Sequence, residues 1–173
     1  MIQQIESRKI EGFRDEYRFL SNFYPSPLFF NGISYPTAEH AYQAQKTYDE
    51  AIRQKIASLP YPGAAKKYGA KLPLSPAWDY QRLAVMEQVL ITKFTDPILM
   101  KKLLGTSPAI LEETNFWGDI FWGVCNGVGE NRLGILLMNI RVRMQIVLAD
   151  PIMPDNQIIA LNLKDITSME LKP

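Results

Sequence analysis

The stretch from Glu130 to Ala149 constrains this chain more than any other. Leu133, Leu136, Leu137, Ile140, Met144, Val147 and Leu148 recur there at helical spacing, and Pro151 and Pro154 close the run. A long amphipathic helix needs other elements to cover its apolar stripe, so a packed core must surround it. A second stripe follows Pro76, with Leu83, Met86, Leu90 and Phe94 in step and Val85 and Val89 beside them. Shorter helices are marked by their punctuation. Thr37, after Pro36, caps one running to about Tyr48, and Asp49 caps another to about Ser58. "YPGAAKKYGAKL" is a weaker helical segment. "DPILMKKLLG" has Asp96 as cap, Pro97 at its first position and Gly105 as its stop.

The strands are few. "YRFLSNF" and "PLFFNGISY" are rich in aromatic and β-branched residues, and Asn31-Gly32 between Phe30 and Ile33 signals a hairpin. The stretch from Ala109 to Val124 reads as extended or irregular. No alternating βαβ series appears. The expected fold is α+β: a mainly helical single domain with a small N-terminal β-hairpin or sheet. We expect that domain to span residues 1–150. Residues 151–173 form a tail whose "QIIALNL" reads as a strand or interaction arm.

Composition narrows the function classes. The 173 residues are 47% hydrophobic and 21% charged, as in a globular chain. Nineteen basic residues against 18 acidic ones leave a formal net charge of +1, which argues against a general electrostatic grip on nucleic acid or anionic membrane. Cys125 is the only cysteine, so no internal disulfide forms and an intracellular, cytoplasmic setting is expected. The first twenty residues carry charges throughout and no apolar signal core. With one Cys and one His, a structural zinc site is excluded, and no metal or cofactor is expected.

Two clusters carry chemistry-bearing side chains. On a helix from Thr37, Glu39, Gln43 and Lys46 share one face, with His40 beside them. Periodicity alone favours a solvated helix face, and a lone histidine is more often structural than catalytic. Against this, Phe23, Tyr24, Tyr35, Tyr42 and Tyr48 surround the set, and polar groups among flat apolar faces suit a small-molecule pocket. The second cluster is "NFWGDIFWGVCNGVGENRLG". Two Trp-Gly pairs, Trp117-Gly118 and Trp122-Gly123, bracket Asp119. Gly127 and Gly129 precede the long helix at Glu130-Asn131, where N–H groups at a helix start suit a phosphate. Alone, Gly-x-Gly before a helix is usually a tight turn, and a lone Asp is usually a turn or cap residue.

Taken together, "FLSNFYP", "YPTAEHAYQAQK", Trp78-Asp79-Tyr80 and "DIFWGVCNGVGENRLGILLMNIR" resemble the NADAR (YbiA-like) superfamily, in the family's order and from Phe19 to Arg141. The resemblance implies an N-glycosidase that cleaves bonds between ribose and a nitrogen base. Its branches act on phosphorylated ribosylamino-pyrimidine intermediates of riboflavin synthesis, or remove ADP-ribose from guanine in nucleic acid. It implies carboxylate roles for Glu39 and Asp119, with base and stabiliser left open, and an aromatic role in activity for Trp78. Trp122 joins Trp78 as a base or sugar platform. Asn22, Phe23, His40, Gln43, Lys46, Gly123, Gly127, Gly129, Asn131 and Arg132 are the expected substrate contacts. The expected partner is a small phosphorylated ribosyl or ADP-ribosyl substrate, with ADP-ribosylated nucleic acid as the alternative and no membrane. A non-catalytic ADP-ribose or NAD-binding module, or a plain helical interaction domain, are the readings from other classes.

Overall fold

A computed structural model of the chain describes residues 8–149. In chain order the elements are β1 (Lys9–Glu11), a 3₁₀ segment (Asp15–Leu20), β2 (Leu28–Phe30), β3 (Ile33–Tyr35), α1 (Ala38–Ala44), α2 (Glu50–Ala57), α3 (Pro62–Gly69), α4 (Trp78–Phe94), α5 (Pro97–Leu104), β4 (Ile110–Glu112), β5 (Thr114–Asn115), β6 (Val124–Cys125) and α6 (Arg132–Ala149). This is the helix-rich α+β architecture expected, with small two-stranded sheets. The described chain groups into two compact units. One is Phe19–Asp96, and the other combines the residues up to Arg18 with those from Pro97 onward.

In the unit Phe19–Asp96, local chemistry sets the elements. Asn31 and Gly32 take φ of 47° and 81°, the left-handed pair of a type I′ turn, and Phe30 pairs with Ile33 across it. Thr37 caps α1 by accepting from the His40 N–H, and Asp49 caps α2 by accepting from the Ile52 N–H. The helix α1 ends at Ala44, short of the expected Tyr48. Beyond it Thr47 Oγ1 accepts from the Asp49 N–H, which starts the next cap instead. "YRFLSNF" is a 3₁₀ segment and a turn rather than a strand. Phe19 and Leu20, adjacent in sequence, are both buried, unlike the alternation of a strand with one solvated face. Leu28, Phe30 and Tyr35 of the hairpin pack with Ala38, Ala41 and Ala44 of α1, Ile56 of α2, Ala65 of α3 and Val89 of α4. Three alanines on one face let α1 lie close beneath its neighbours.

In the other unit, β1 pairs with β4 in parallel (Lys9 opposite Ile110) and β5 with β6 in parallel (Thr114 opposite Val124). The helix α6 packs on β4 and α5. A Cβ at Gly134 would collide with the Leu111 carbonyl, so glycine lets α6 meet that strand. Arg141, 6% exposed, donates from Nη1 to Thr106 Oγ1 and the Ala109 carbonyl, both at 2.9 Å, and ties α6 to the loop after α5. The tail expected to form a strand or arm lies outside the described residues.

Candidate active site

All seven residues of α1 are buried, including Glu39 (6% exposed), His40 (1%) and Gln43 (4%). A solvated helix face is therefore not what this polar pattern encodes. The Glu39 N–H, one of the donors a helix start leaves open, donates to the Asn22 carbonyl at 3.0 Å. The Glu39 Oε1 accepts from Gln43 Nε2 at 2.8 Å, one helical turn on. Gln43 is itself held. A Cβ on Gly69 of α3 would collide with Gln43 Oε1 and lie 2.9 Å from its Cδ. The chain of constraint runs from a glycine on α3, through an amide, to a buried carboxylate.

The other expected contacts in this unit divide. Lys46, half-buried, has its ammonium 5.9 Å from the centre of the Tyr42 ring. Burial draws its pKa below the ordinary lysine value; the Glu39 charge pushes it back up and Lys66 pushes it down. Tyr42 meets Trp78, the first residue of α4, with ring centroids 5.5 Å apart and planes at 49°. Asn22 is buried; its Nδ2 donates to Met86 Sδ at 3.3 Å and its Oδ1 is buried without a partner. Phe23 is 37% exposed. His40 is a correction. Its Nε2 lies 3.2 Å from the Leu59 carbonyl and its Nδ1 2.8 Å from Thr37 Oγ1. A carbonyl only accepts, so Nε2 carries the proton, and Nδ1 accepts from the threonine hydroxyl. Both ring nitrogens serve the fold and neither is left for a substrate.

The motif from Asn115 to Gly134 forms a knot of backbone contacts in the other unit. Asn115, fully buried, donates from Nδ2 to the Asp119 carbonyl and accepts at Oδ1 from the Asp119 N–H. The Asp119 Oδ1 in turn accepts from the N–H groups of Phe121 (3.2 Å) and Trp122 (2.9 Å). That is an Asx-type turn, in which the carboxylate shapes its own loop. Trp122, half-buried, meets Phe121 edge-on with centroids 4.9 Å apart. Asn126-Gly127 is a second type I′ turn, with Cys125 and Val128 exchanging backbone hydrogen bonds across it. Close backbone approach explains two more glycines. A Cβ at Gly123 would collide with the Glu113 carbonyl, and one at Gly129 with the Gly123 carbonyl. Asn131 bridges to the strand region, accepting from the Glu113 N–H and donating to the Leu111 carbonyl. Arg132, exposed, pairs with Glu130 at 2.7 Å.

This arrangement overturns the phosphate cradle expected at the head of α6. The N–H groups of Glu130, Asn131, Arg132 and Leu133 donate to the carbonyls of Ile120, Gly123, Phe121 and Trp122 respectively. A helix start whose donors already bond the preceding loop has none of these to give a phosphate. Gly127, Gly129 and Asn131 are fold determinants.

A family model described as the NADAR domain matches residues 10–145. The chain belongs to the NADAR family. A NADAR relative from Shigella flexneri serotype 5b (strain 8401), named N-glycosidase YbiA, is 38% identical over 137 residues, covering 76% of this chain and 84% of that one. A riboflavin biosynthesis protein of Vibrio vulnificus (strain YJ016) is 32% identical over 135 residues, covering 76% of this chain and 36% of that longer protein. The solution NMR structure of Escherichia coli YbiA matches the fold with a TM-score of 0.72 at 36% identity, over 84% of this chain and 90% of that one. The NADAR match spans both compact units. No helix among the described residues is long and apolar enough to cross a membrane.

Proposed function

We propose that this chain is an N-glycosidase that hydrolyses the bond between ribose and a nitrogen base in a phosphorylated ribosyl substrate. The observation that carries the reading is the buried Glu39, whose carboxylate accepts from Gln43 Nε2 and whose backbone N–H donates to the Asn22 carbonyl, in a chain whose relatives include named N-glycosidases. As the C1–N bond breaks, its electron pair leaves with the nitrogen, which takes up a proton, and positive charge grows on C1. A fixed carboxylate stabilises that charge without reorganising, and it accepts a proton from the water that adds to C1. Trp78, packed against the buried Tyr42, keeps its family assignment as a base or sugar platform, and Lys46 is the cation for a phosphate. Phe23 lies next to Asn22 in the same turn. Asp119 keeps its family assignment as the second carboxylate, and Trp122 its assignment as a platform, on motif alone.

Among the described residues no group of three His, Cys, Asp or Glu side chains gathers as a metal site would need. Oxocarbenium chemistry also proceeds on protein groups alone. We expect turnover to be unchanged by EDTA; loss with EDTA and recovery with a divalent ion would refute metal independence.

The test is product release. Pure protein is incubated separately with ribosylamino-pyrimidine phosphate, with NAD and with ADP-ribosylated DNA, and freed base or sugar is measured. Release from the first, absent in Glu39→Gln, is the expected result. Release from the third alone moves the substrate class to ADP-ribosyl guanine, for which exposed Lys66, Lys67 and Lys71 offer a basic patch. Binding of ADP-ribose with no release from any of the three would leave the non-catalytic module as the better reading.

A further inference from the structure

Lys93 stands in the last turn of α4, where a lysine ordinarily reaches into solvent and complements the helix dipole. Here it is 2% exposed. It shares a face with Met86, seven residues earlier, and its neighbours Val89, Leu90 and Phe94 are fully buried. Its ammonium donates to the Ser21 carbonyl at 2.7 Å and lies 5.8 Å from the Tyr24 ring centre and 5.1 Å from that of Phe94. Burying an ammonium is costly unless its donors are used, and a methionine or leucine would fill the same space without that cost. The charge therefore needs a reason beyond packing.

The turn it holds supplies one. The Ser21 carbonyl also accepts from the Tyr24 N–H, so Lys93 bonds the atom that closes this turn. Asn22, inside the turn, has its side chain on Met86 Sδ and its carbonyl on the Glu39 N–H. One face of α4 thus grips Ser21-Asn22 at two points, and Asn22 grips the start of α1. We infer that Lys93 is a positioning residue for the proposed glycosidase site, fixing through the Ser21–Tyr24 turn the backbone from which Asn22 places Glu39. The inference rests on the N-glycosidase reading, and its test separates the two.

Two variants are compared with wild type: Lys93→Met, which keeps the volume without charge, and Lys93→Arg, which keeps charge but replaces a point donor with a planar fork. Turnover of ribosylamino-pyrimidine phosphate is measured per folded molecule, and backbone amide exchange is followed by NMR. We expect kcat to fall tenfold or more in both, KM to move less than threefold, and the Glu39 amide to exchange faster while the amides of Gln43 and Ala44 keep their protection. A purely structural lysine would lower Tm and leave kcat per folded molecule unchanged. That result in either variant overturns the inference, as does a fall in kcat with Glu39 exchange unchanged. If Lys93→Met does not fold, Lys93→Arg decides. If neither variant folds, Lys93 is needed for the fold itself and the positioning inference is overturned. If wild type releases nothing, the glycosidase reading fails, while the exchange arm still tests the positioning.

Discussion

Glu39 lies on a helix whose every residue is buried, so a substitution there has to separate charge from shape. Glu39→Gln keeps the shape, and its amide oxygen still accepts from Gln43 Nε2. We expect a folded protein with turnover lowered about 10²–10³-fold, the usual cost of one well-placed electrostatic group. Near-normal turnover in the folded variant would remove Glu39 from the mechanism, and unfolding would mark it as structural. His40 yields a different measurement. Burial holds its imidazole below the ordinary value of 6.5, against an opposing pull from the Leu59 carbonyl. In the unfolded chain the ring binds its proton more readily, so stability rises with pH across this window. The contribution is complete above about pH 6.5 and is lost as pH falls through the lower folded value. His40 is the only imidazole in the chain, so replacing it isolates the share of this pH dependence that the ring contributes. The urea midpoint is expected to drop between pH 7 and 5, and His40→Gln to flatten that drop. A flat wild-type profile would show that the ring charges without penalty.

The elements that the sequence announced are those with their own local chemistry. Thr37 and Asp49 cap their helices, Asn31-Gly32 turns its hairpin, and Pro97 and Gly105 bound α5, all within a few residues of the signal. What escaped depends on partners far along the chain. The pairing of Lys9 with Ile110 leaves no trace in either segment, and neither does the contact of Lys93 with Ser21. The polar face of α1 has the periodicity of a solvated helix, and only the packing of the helices and hairpin around it shows that it is buried. The Gly127 to Asn131 segment shows the converse. Its glycines pointed to an anion site, yet Asn126-Gly127 is a tight turn and the N–H groups from Glu130 to Leu133 bond the preceding loop. Gly134 tests how closely α6 meets β4. In an exposed helix Gly→Ala gains up to about 1 kcal/mol. Here the new methyl would collide with the Leu111 carbonyl and lie 2.7 Å from Asn131 Nδ2. Gly134→Ala is therefore expected to destabilise by about 1–3 kcal/mol, the range for overpacked sites. An unchanged or higher urea midpoint would show that α6 can withdraw from the strand at no cost.

At the scale of the whole molecule, charge decides what kind of substrate the chain can favour. A net charge of +1 supplies no long-range pull on a polyanion, so recognition of phosphate has to be local. With the N–H groups from Glu130 to Leu133 engaged by the preceding loop, Lys46 carries the argument. Burial and Lys66 both disfavour its charge while Glu39 favours it, and an incoming phosphate would add to the favourable side. One charge-assisted hydrogen bond contributes about 1.5–3 kcal/mol, which corresponds to roughly ten- to a hundredfold or more in kcat/KM. Wild type is expected to favour a ribosyl substrate bearing a 5′-phosphate over its dephosphorylated twin by that factor, with most of the preference gone in Lys46→Met. The measurement is kcat/KM for both substrates in both proteins. Equal efficiency in wild type would end the claim that phosphate is recognised. A preference that survives Lys46→Met unchanged would clear Lys46 and send the search to Lys66, the cation whose charge Lys46 already feels.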